Sequence, residues 1–269
     1  MVRAYGIKVP KSMKRKRSEE EIGSEAADYR RHDREDEGKT EDVIGDMPGI
    51  PVMPPADGSK KPGVIFILDK APLEIGKVGN KHVLLNSDEH ANFLKKQNKD
   101  PSEYRPDIVH QALLAILDSP LTKAGRLQAL YVRSTRHALI EVKPHVRIPR
   151  TFRRFCGLMV QLLEKQKITA VGNREKLLTL IKNPVTDHLP VNSRKIGLSY
   201  SSSKLVQVRD YVAAASDNVD LIFVVGAMAH GIIDKGFIDD FISVSNYPLS
   251  AACCISRICN ALEQKWKIL

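Results

Sequence analysis

Four short segments carry the side chains best suited to chemistry. The first is Arg105-Pro106-Asp107. Proline suits a first helical turn, so Asp107 falls where a carboxylate favours the helix dipole and caps free amides. Two residues from Arg105, it can also hold a guanidinium fork towards an anion. Spacing leaves both roles open. The second is Arg147-Ile148-Pro149-Arg150-Thr151-Phe152-Arg153-Arg154-Phe155, four arginines at the entry to an amphipathic helix. Arg150 and Arg154 share a helical face. No carboxylate lies between Glu141 and Glu164 to neutralise them. Guanidinium groups at a helix N-terminus suit phosphate, which favours RNA or DNA contact over a merely solvated face.

The third segment is an apolar run at 221–225 leading into Gly226-Ala227-Met228-Ala229-His230-Gly231. Glycines at the carboxyl end of a buried strand allow a ligand to approach the backbone closely. The pattern is neither GxGxxG nor a P-loop, and alone it equally describes a plain strand-to-loop turn. The fourth, Val244-Ser245-Asn246-Tyr247-Pro248-Leu249-Ser250, reads by spacing as a helix entry. The four cysteines form no CxxC pair, and the histidines form no HxxxH or HExxH, so metal chemistry and a disulfide framework are not expected.

The elements that must position these groups follow from hydrophobic periodicity. Short apolar runs predict strands at 63–68, 127–132, 138–142, 196–198, 221–225 and 242–244, with a weaker one at 82–85. Helices are expected from Pro106 to about Leu117, from near Thr151, at 175–182, at 205–215 and at 248–266. Alternating strands and helices argue for an α/β domain with a mainly parallel sheet and helices on both faces.

The chain has 269 residues, of which 42% are hydrophobic and 28% charged, enough for a buried core. No run of 18 apolar residues exists and no N-terminal apolar run precedes a cleavage site, so neither a membrane span nor a secretory signal is expected. Residues 1–61 carry as many acidic as basic side chains, so the net charge of +10 belongs to 62–269. A positive folded surface favours a polyanion, most commonly nucleic acid. Residues 1–61 read as a disordered tail and proline-punctuated linker. Lys14-Arg15-Lys16-Arg17 within it resembles a nuclear localisation signal as much as a chance charge run.

Several segments, in order, carry a family resemblance. Arg105-Pro106-Asp107-Ile108-Val109-His110-Gln111 is followed by Leu117-Asp118-Ser119-Pro120, then Arg147-Ile148-Pro149-Arg150-Thr151-Phe152. Asn183-Pro184, Asp187-His188-Leu189-Pro190, the 226–231 glycine segment and Ser245-Asn246-Tyr247-Pro248-Leu249-Ser250-Ala251 complete the series. Over about 63–269 the chain resembles the nucleolar essential protein family, pseudouridine N1-methyltransferases of small-subunit ribosomal RNA in the SPOUT (α/β-knot) superfamily. The resemblance implies a C-terminal trefoil knot, a homodimer, and S-adenosylmethionine held in the knot. The cofactor would meet Leu198, Gly226, Gly231, Val244, Ser245, Asn246, Tyr247, Pro248 and Leu249. RNA would meet Arg105, Arg147, Arg150 and Arg154, with Arg133 and Arg136 in the expected hairpin as further RNA candidates and Arg105 and Asp107 at the catalytic position. An rRNA hairpin, ribosome-assembly proteins and a nuclear, nucleolar home are the implied setting, with neither metal nor membrane. The alternative is a non-catalytic RNA-binding assembly factor on the same fold.

Overall fold

A computed structural model describes residues 62–171 and 174–268. The tail, its basic tetrad and the linker lie outside the described residues. The elements in chain order are β1 (Val64–Ala71), β2 (Ile75–Val78), β3 (Lys81–Leu84), α1 (Ser87–Lys96), α2 (Pro106–Leu117), α3 (Pro120–Lys123), β4 (Leu127–Ser134), β5 (Leu139–Val142), α4 (Phe152–Lys165), β6 (Lys167–Thr169), β7 (Lys176–Ile181), β8 (Ser193–Leu198), α5 (Val208–Ala213), β9 (Asp220–Gly226), β10 (Asp240–Ile242) and α6 (Ala251–Lys265). Single 3₁₀ turns occupy Pro101–Glu103 and Val185–His188.

The main sheet has the order β10-β8-β9-β1-β4-β5-β7-β6. From β10 to β4 every pair is parallel, and from β4 to β6 every pair is antiparallel. β1 sits centrally, and its continuous apolar run fits a strand covered on both faces. Phe66 and Leu68 point into a large core with Val109, Leu113 and Ile116 of α2, Phe155 and Leu158 of α4, and Ile255 and Ile258 of α6. Ile65 and Ile67 alternate to the other face, beneath Val185, Ile233 and Phe237. The expectation of helices on both faces is met unevenly. α2, α4, α5 and α6 all contribute to the first core, while the second face is covered by the 3₁₀ turn Val185–His188 and the 227–239 segment.

One segment differs in kind from its expectation. The stretch expected as a helix at 175–182 is the strand β7, paired with β5 on one side and β6 on the other. Leu177 and Leu178 are adjacent apolar residues compatible with either period, and two non-local ladders outweigh local helix propensity there. α5 begins at Val208 rather than 205, because Leu205 forms a parallel bridge to Ser243. α6 begins after Ser250, whose hydroxyl accepts from the Cys253 amide, a side-chain N-cap.

The loop after β8 wraps the end of β10. Ser199 N donates to Ile242 O at 3.0 Å, Ser243 N to Lys204 O at 2.8 Å, and Val206 N to Ser243 O at 2.9 Å. Ser202 Oγ donates to Phe241 O at 2.9 Å. The chain leaving β10 is thus bound along this loop before it enters α6, which packs on α2 and α5. Asp240 fastens the same clasp, accepting from Arg194 at 3.1 Å, Lys204 at 2.5 Å and Tyr211 at 2.7 Å.

Candidate active site

β10, β8 and β9 are adjacent and parallel, so their carboxyl ends open on one edge of the sheet. Crevices outside such strand ends are where open α/β sheets bind ligands. A cavity of about 620 Å³ lies here. Its walls come from Leu198 and Ser199 after β8, the 225–233 segment after β9, and residues 242–245 after β10, with Tyr247, Leu249 and the start of α6. The sequence-derived residues Leu198, Gly226, Gly231, Val244, Ser245, Tyr247 and Leu249 therefore share one wall system. Asn246 and Pro248 belong to the same loop, but their side chains are exposed and do not line the cavity.

The glycines act through space and conformation. A Cβ on Gly226 would come 3.2 Å from Met228 Cε. Gly231 has φ +123°, a backbone that residues with side chains rarely adopt. Cys254 of α6 also lines the cavity, and burial pushes its thiol up to about 11, which leaves it a neutral packing group.

The opposite wall comes from another part of the chain. Ser87 at the start of α1, Ser102 in the 3₁₀ turn, Arg105 and Ile108 face the same space. Ser87 and Ser102 carry no sequence signal of a site. Neither stands in a motif, and only the folding of 85–104 beside α2 brings them here. That region has its own small core of Leu85, Leu94 and Tyr104.

Asp107 does not cap α2. Its two carboxylate oxygens accept from Arg105 Nε at 2.8 Å and Nη2 at 2.7 Å. The hydrogen bonds and charge of Asp107 raise the Arg105 pKa further, so the guanidinium is a fixed cation. Two-point contact sets its plane and leaves Nη1 uncommitted to Asp107. The neighbouring backbone is also anchored. Tyr104 donates through its hydroxyl to Glu74 at 2.9 Å, and the same carboxylate accepts from Lys99 at 2.6 Å and Arg136 at 2.9 Å.

Arg147 and Arg150 line a separate recess of about 390 Å³ with Asp118, Lys123 and apolar residues at the end of α2, and Arg153 and Arg154 lie outside it on α4. The His110 ring, on α2, lies 2.7 Å from Pro149 O through Nε2 and stacks on Phe155 at 4.6 Å, which fixes the segment ahead of α4. Arg147, Arg153 and Arg154 are exposed, with no ion-pair partner among the described residues. Arg150 departs from the expectation of missing carboxylates. Its Nη1 meets Asp118 at 2.9 Å, although its side chain stays 77% exposed. Asp118 lies 32 residues away in sequence, so a local search for carboxylates misses it.

Arg133 and Arg136 line neither recess. Arg133 pairs with Asp69 and is three-quarters buried, and Arg136 is committed to Glu74. Arg133 is thus an internal tie rather than a polyanion contact, whereas Arg136 makes its pair at the surface with its side chain 57% exposed. Among the described residues, no group of three His, Cys, Asp or Glu is placed to hold a metal ion. No helix among them is long and apolar enough to cross a membrane.

The comparisons with known proteins bear on the same region. The EMG1/NEP1 methyltransferase family matches residues 66–263. The ribosomal RNA small subunit methyltransferase nep-1 of Caenorhabditis elegans is 47% identical over 203 residues, 76% of this chain and 87% of its own. The human ribosomal RNA small subunit methyltransferase NEP1 is 47% identical over 206 residues, 77% of this chain and 83% of its own. Among solved structures, Archaeoglobus fulgidus Nep1 bound to S-adenosylhomocysteine superposes with a TM-score of 0.62 at 25% identity, covering 76% of this chain and 99% of that one. Its fold is the SPOUT type, which agrees with the parallel strand ends and the clasped C-terminal segment described above. With sequence, fold and cavity in agreement, the chain belongs to the EMG1/NEP1 methyltransferase family.

Proposed function

We propose that this chain transfers a methyl group from S-adenosylmethionine to N1 of a pseudouridine in small-subunit ribosomal RNA. One observation carries the reading: the carboxyl ends of β8, β9 and β10 and the guanidinium of Arg105, held by Asp107, face one cavity. A volume of about 620 Å³ lies within the usual range for a ligand of nucleoside size. Apolar walls with serine hydroxyls and loop backbone suit an adenosyl group, and the missing side chains at Gly226 and Gly231 let Met228 pack against that wall. Leu198, Gly226, Gly231 and the 244–249 loop hold it. When bound, S-adenosylmethionine supplies an electrophilic methyl group on its sulfonium.

The protein's task is then alignment and charge. Pseudouridine presents a ring N–H at N1; loss of that proton to solvent water makes the nitrogen a good nucleophile, and as the N–C bond forms the methyl–sulfur bond breaks, with S-adenosylhomocysteine as the leaving group. The Arg105 cation, in the cavity wall opposite the loops after β8, β9 and β10, stabilises negative charge spreading onto the ring oxygens. Asp107 holds the fork in place and acts as a positioning residue, because both its oxygens are engaged. The target nucleotide is extruded from its hairpin to reach the cavity. Arg147, Arg150 and Arg154 hold the flanking phosphates.

The domain that does this spans residues 62–269, preceded by the tail. It works as a homodimer in the nucleolus, among ribosome-assembly proteins. Tyr200, Ile232 and Tyr247 are 61%, 59% and 75% exposed beside the cavity, a patch that a second copy would cover. Titration calorimetry with S-adenosylhomocysteine tests the cofactor reading. Binding in the micromolar range is expected. No binding, with hairpin affinity intact, would favour the non-catalytic assembly factor.

A further inference from the structure

The loop that follows β9 forms one wall of the cavity, and its hold on the sheet comes from residues outside every motif above. We infer that Asp69 and Lys70, at the carboxyl end of β1, with Arg133 on β4, are positioning residues that fix this loop in the shape that grips the methyl donor. The inference rests on the cofactor reading given above.

The backbone is built for it. The β1–β4 register slips between Leu68 and Ala71, and Lys70 has φ +55°, a left-handed conformation uncommon for a residue with a side chain. Such irregularities beside a site re-aim side chains. Asp69 lies opposite Gly226 in the β1–β9 ladder and on the same face as Ile65 and Ile67, the face that the loop covers.

From there the loop is fastened at its start, middle and end. Ala227 N donates to Asp69 O at 2.8 Å. Lys70 Nζ donates to Ile232 O at 2.5 Å. The Asp69 carboxylate is 1% exposed and lies 3.1 Å from Arg133 Nε, while the Arg133 guanidinium lies over the Phe237 ring at 5.6 Å. Among the described residues no hydrogen-bond donor is aligned on either Asp69 oxygen, so the pairing with Arg133 is ionic. A buried pair of this kind is a poor source of stability compared with apolar packing. Its use here is orientation: it fixes the cation that carries Phe237.

The test measures S-adenosylhomocysteine affinity by calorimetry for the wild-type chain, Lys70→Gly, Asp69→Asn, Arg133→Met and Arg133→Lys. Melting temperature and hairpin affinity are recorded for each. Glycine accepts the left-handed backbone, so Lys70→Gly removes the ammonium without strain and decides the matter even if the buried variants fail to fold. Lys70→Gly is expected to weaken cofactor binding about three- to tenfold with melting temperature and hairpin affinity unchanged. Asp69→Asn and Arg133→Met weaken it by more than about tenfold, and Arg133→Lys recovers part of the loss. In turnover assays KM for the methyl donor rises, while kcat at saturating donor stays within about twofold, because none of these groups touches the reacting atoms. Wild-type binding with unchanged affinity in Lys70→Gly, whether or not the buried variants fold, overturns this inference alone. Failure of the wild-type chain to bind overturns the cofactor reading and the inference with it.

Discussion

Arg105 is the side chain on which the proposed chemistry turns. Its guanidinium is held by two hydrogen bonds to Asp107, so its orientation is set before any ligand arrives. Arg105→Ala is therefore expected to lower kcat by about 10²- to 10³-fold while leaving S-adenosylhomocysteine affinity unchanged. Arg105→Lys should not restore the rate, because an ammonium cannot meet both carboxylate oxygens in one plane. Single-turnover methyl transfer with separate binding assays checks both. The exposed arginines call for a different readout. Arg154→Ala is expected to weaken hairpin binding across sequences and reduce the slope of log K against log salt by about one. Arg150→Ala should change the slope less, since Asp118 already engages that charge. The arginines and glycines were legible as residue types in the sequence. Which carboxylate each cation meets was not. Arg133 and Arg136 read in the sequence as RNA candidates, and the fold brings Asp69 and Glu74 to them from 64 and 62 residues away.

At the scale of elements, the cavity exists because three neighbouring parallel strands end together. Their apolar runs are short and bounded by small or polar residues, which is why β8 and β9 could be placed from sequence. β7 could not, because six residues with adjacent leucines fit a helix or a strand, and the ladders that decide between them join distant segments. α1 carries no clear apolar period: it is polar along most of its length, and Leu94 alone is fully buried. Two carboxylates bind these elements together. Glu74 is opposed by burial, but hydrogen bonds from Lys99, Tyr104 and Arg136 outweigh it and hold its carboxyl below the usual range. Asp240 is likewise opposed by burial and lowered by Lys204, Tyr211 and Arg194. A carboxyl depressed in the folded state contributes stability that is complete above its unfolded value and is lost as pH falls through the folded one. Stability should thus be flat near neutrality and decline in acid, below about pH 4.5. Glu74→Gln and Asp240→Asn should each lower the melting temperature at neutral pH by a few degrees and flatten that decline. Thermal melts across pH 3 to 7 measure it.

Across the whole molecule, α2 links the two recesses. Its first turn carries Asp107 beside Arg105 at the cavity, and its last turns line the recess of Arg147 and Arg150. A helix of 12 residues is about 18 Å long, so the two recesses stand roughly that far apart along one rigid body. The fold class and the clustering of charge were legible because both are sums over many residues. The convergence of 85–108 on the loops after β8, β9 and β10 was not, because those segments are more than 90 residues apart in sequence and meet only through the order of the sheet. The most direct measurement offers the enzyme two hairpins that differ in one nucleotide, uridine or pseudouridine, with labelled S-adenosylmethionine. The account predicts label on the pseudouridine hairpin alone, mapped to N1, and its loss with Arg105→Ala. Equal labelling of both hairpins, or label on pseudouridine at an atom other than N1, would contradict it.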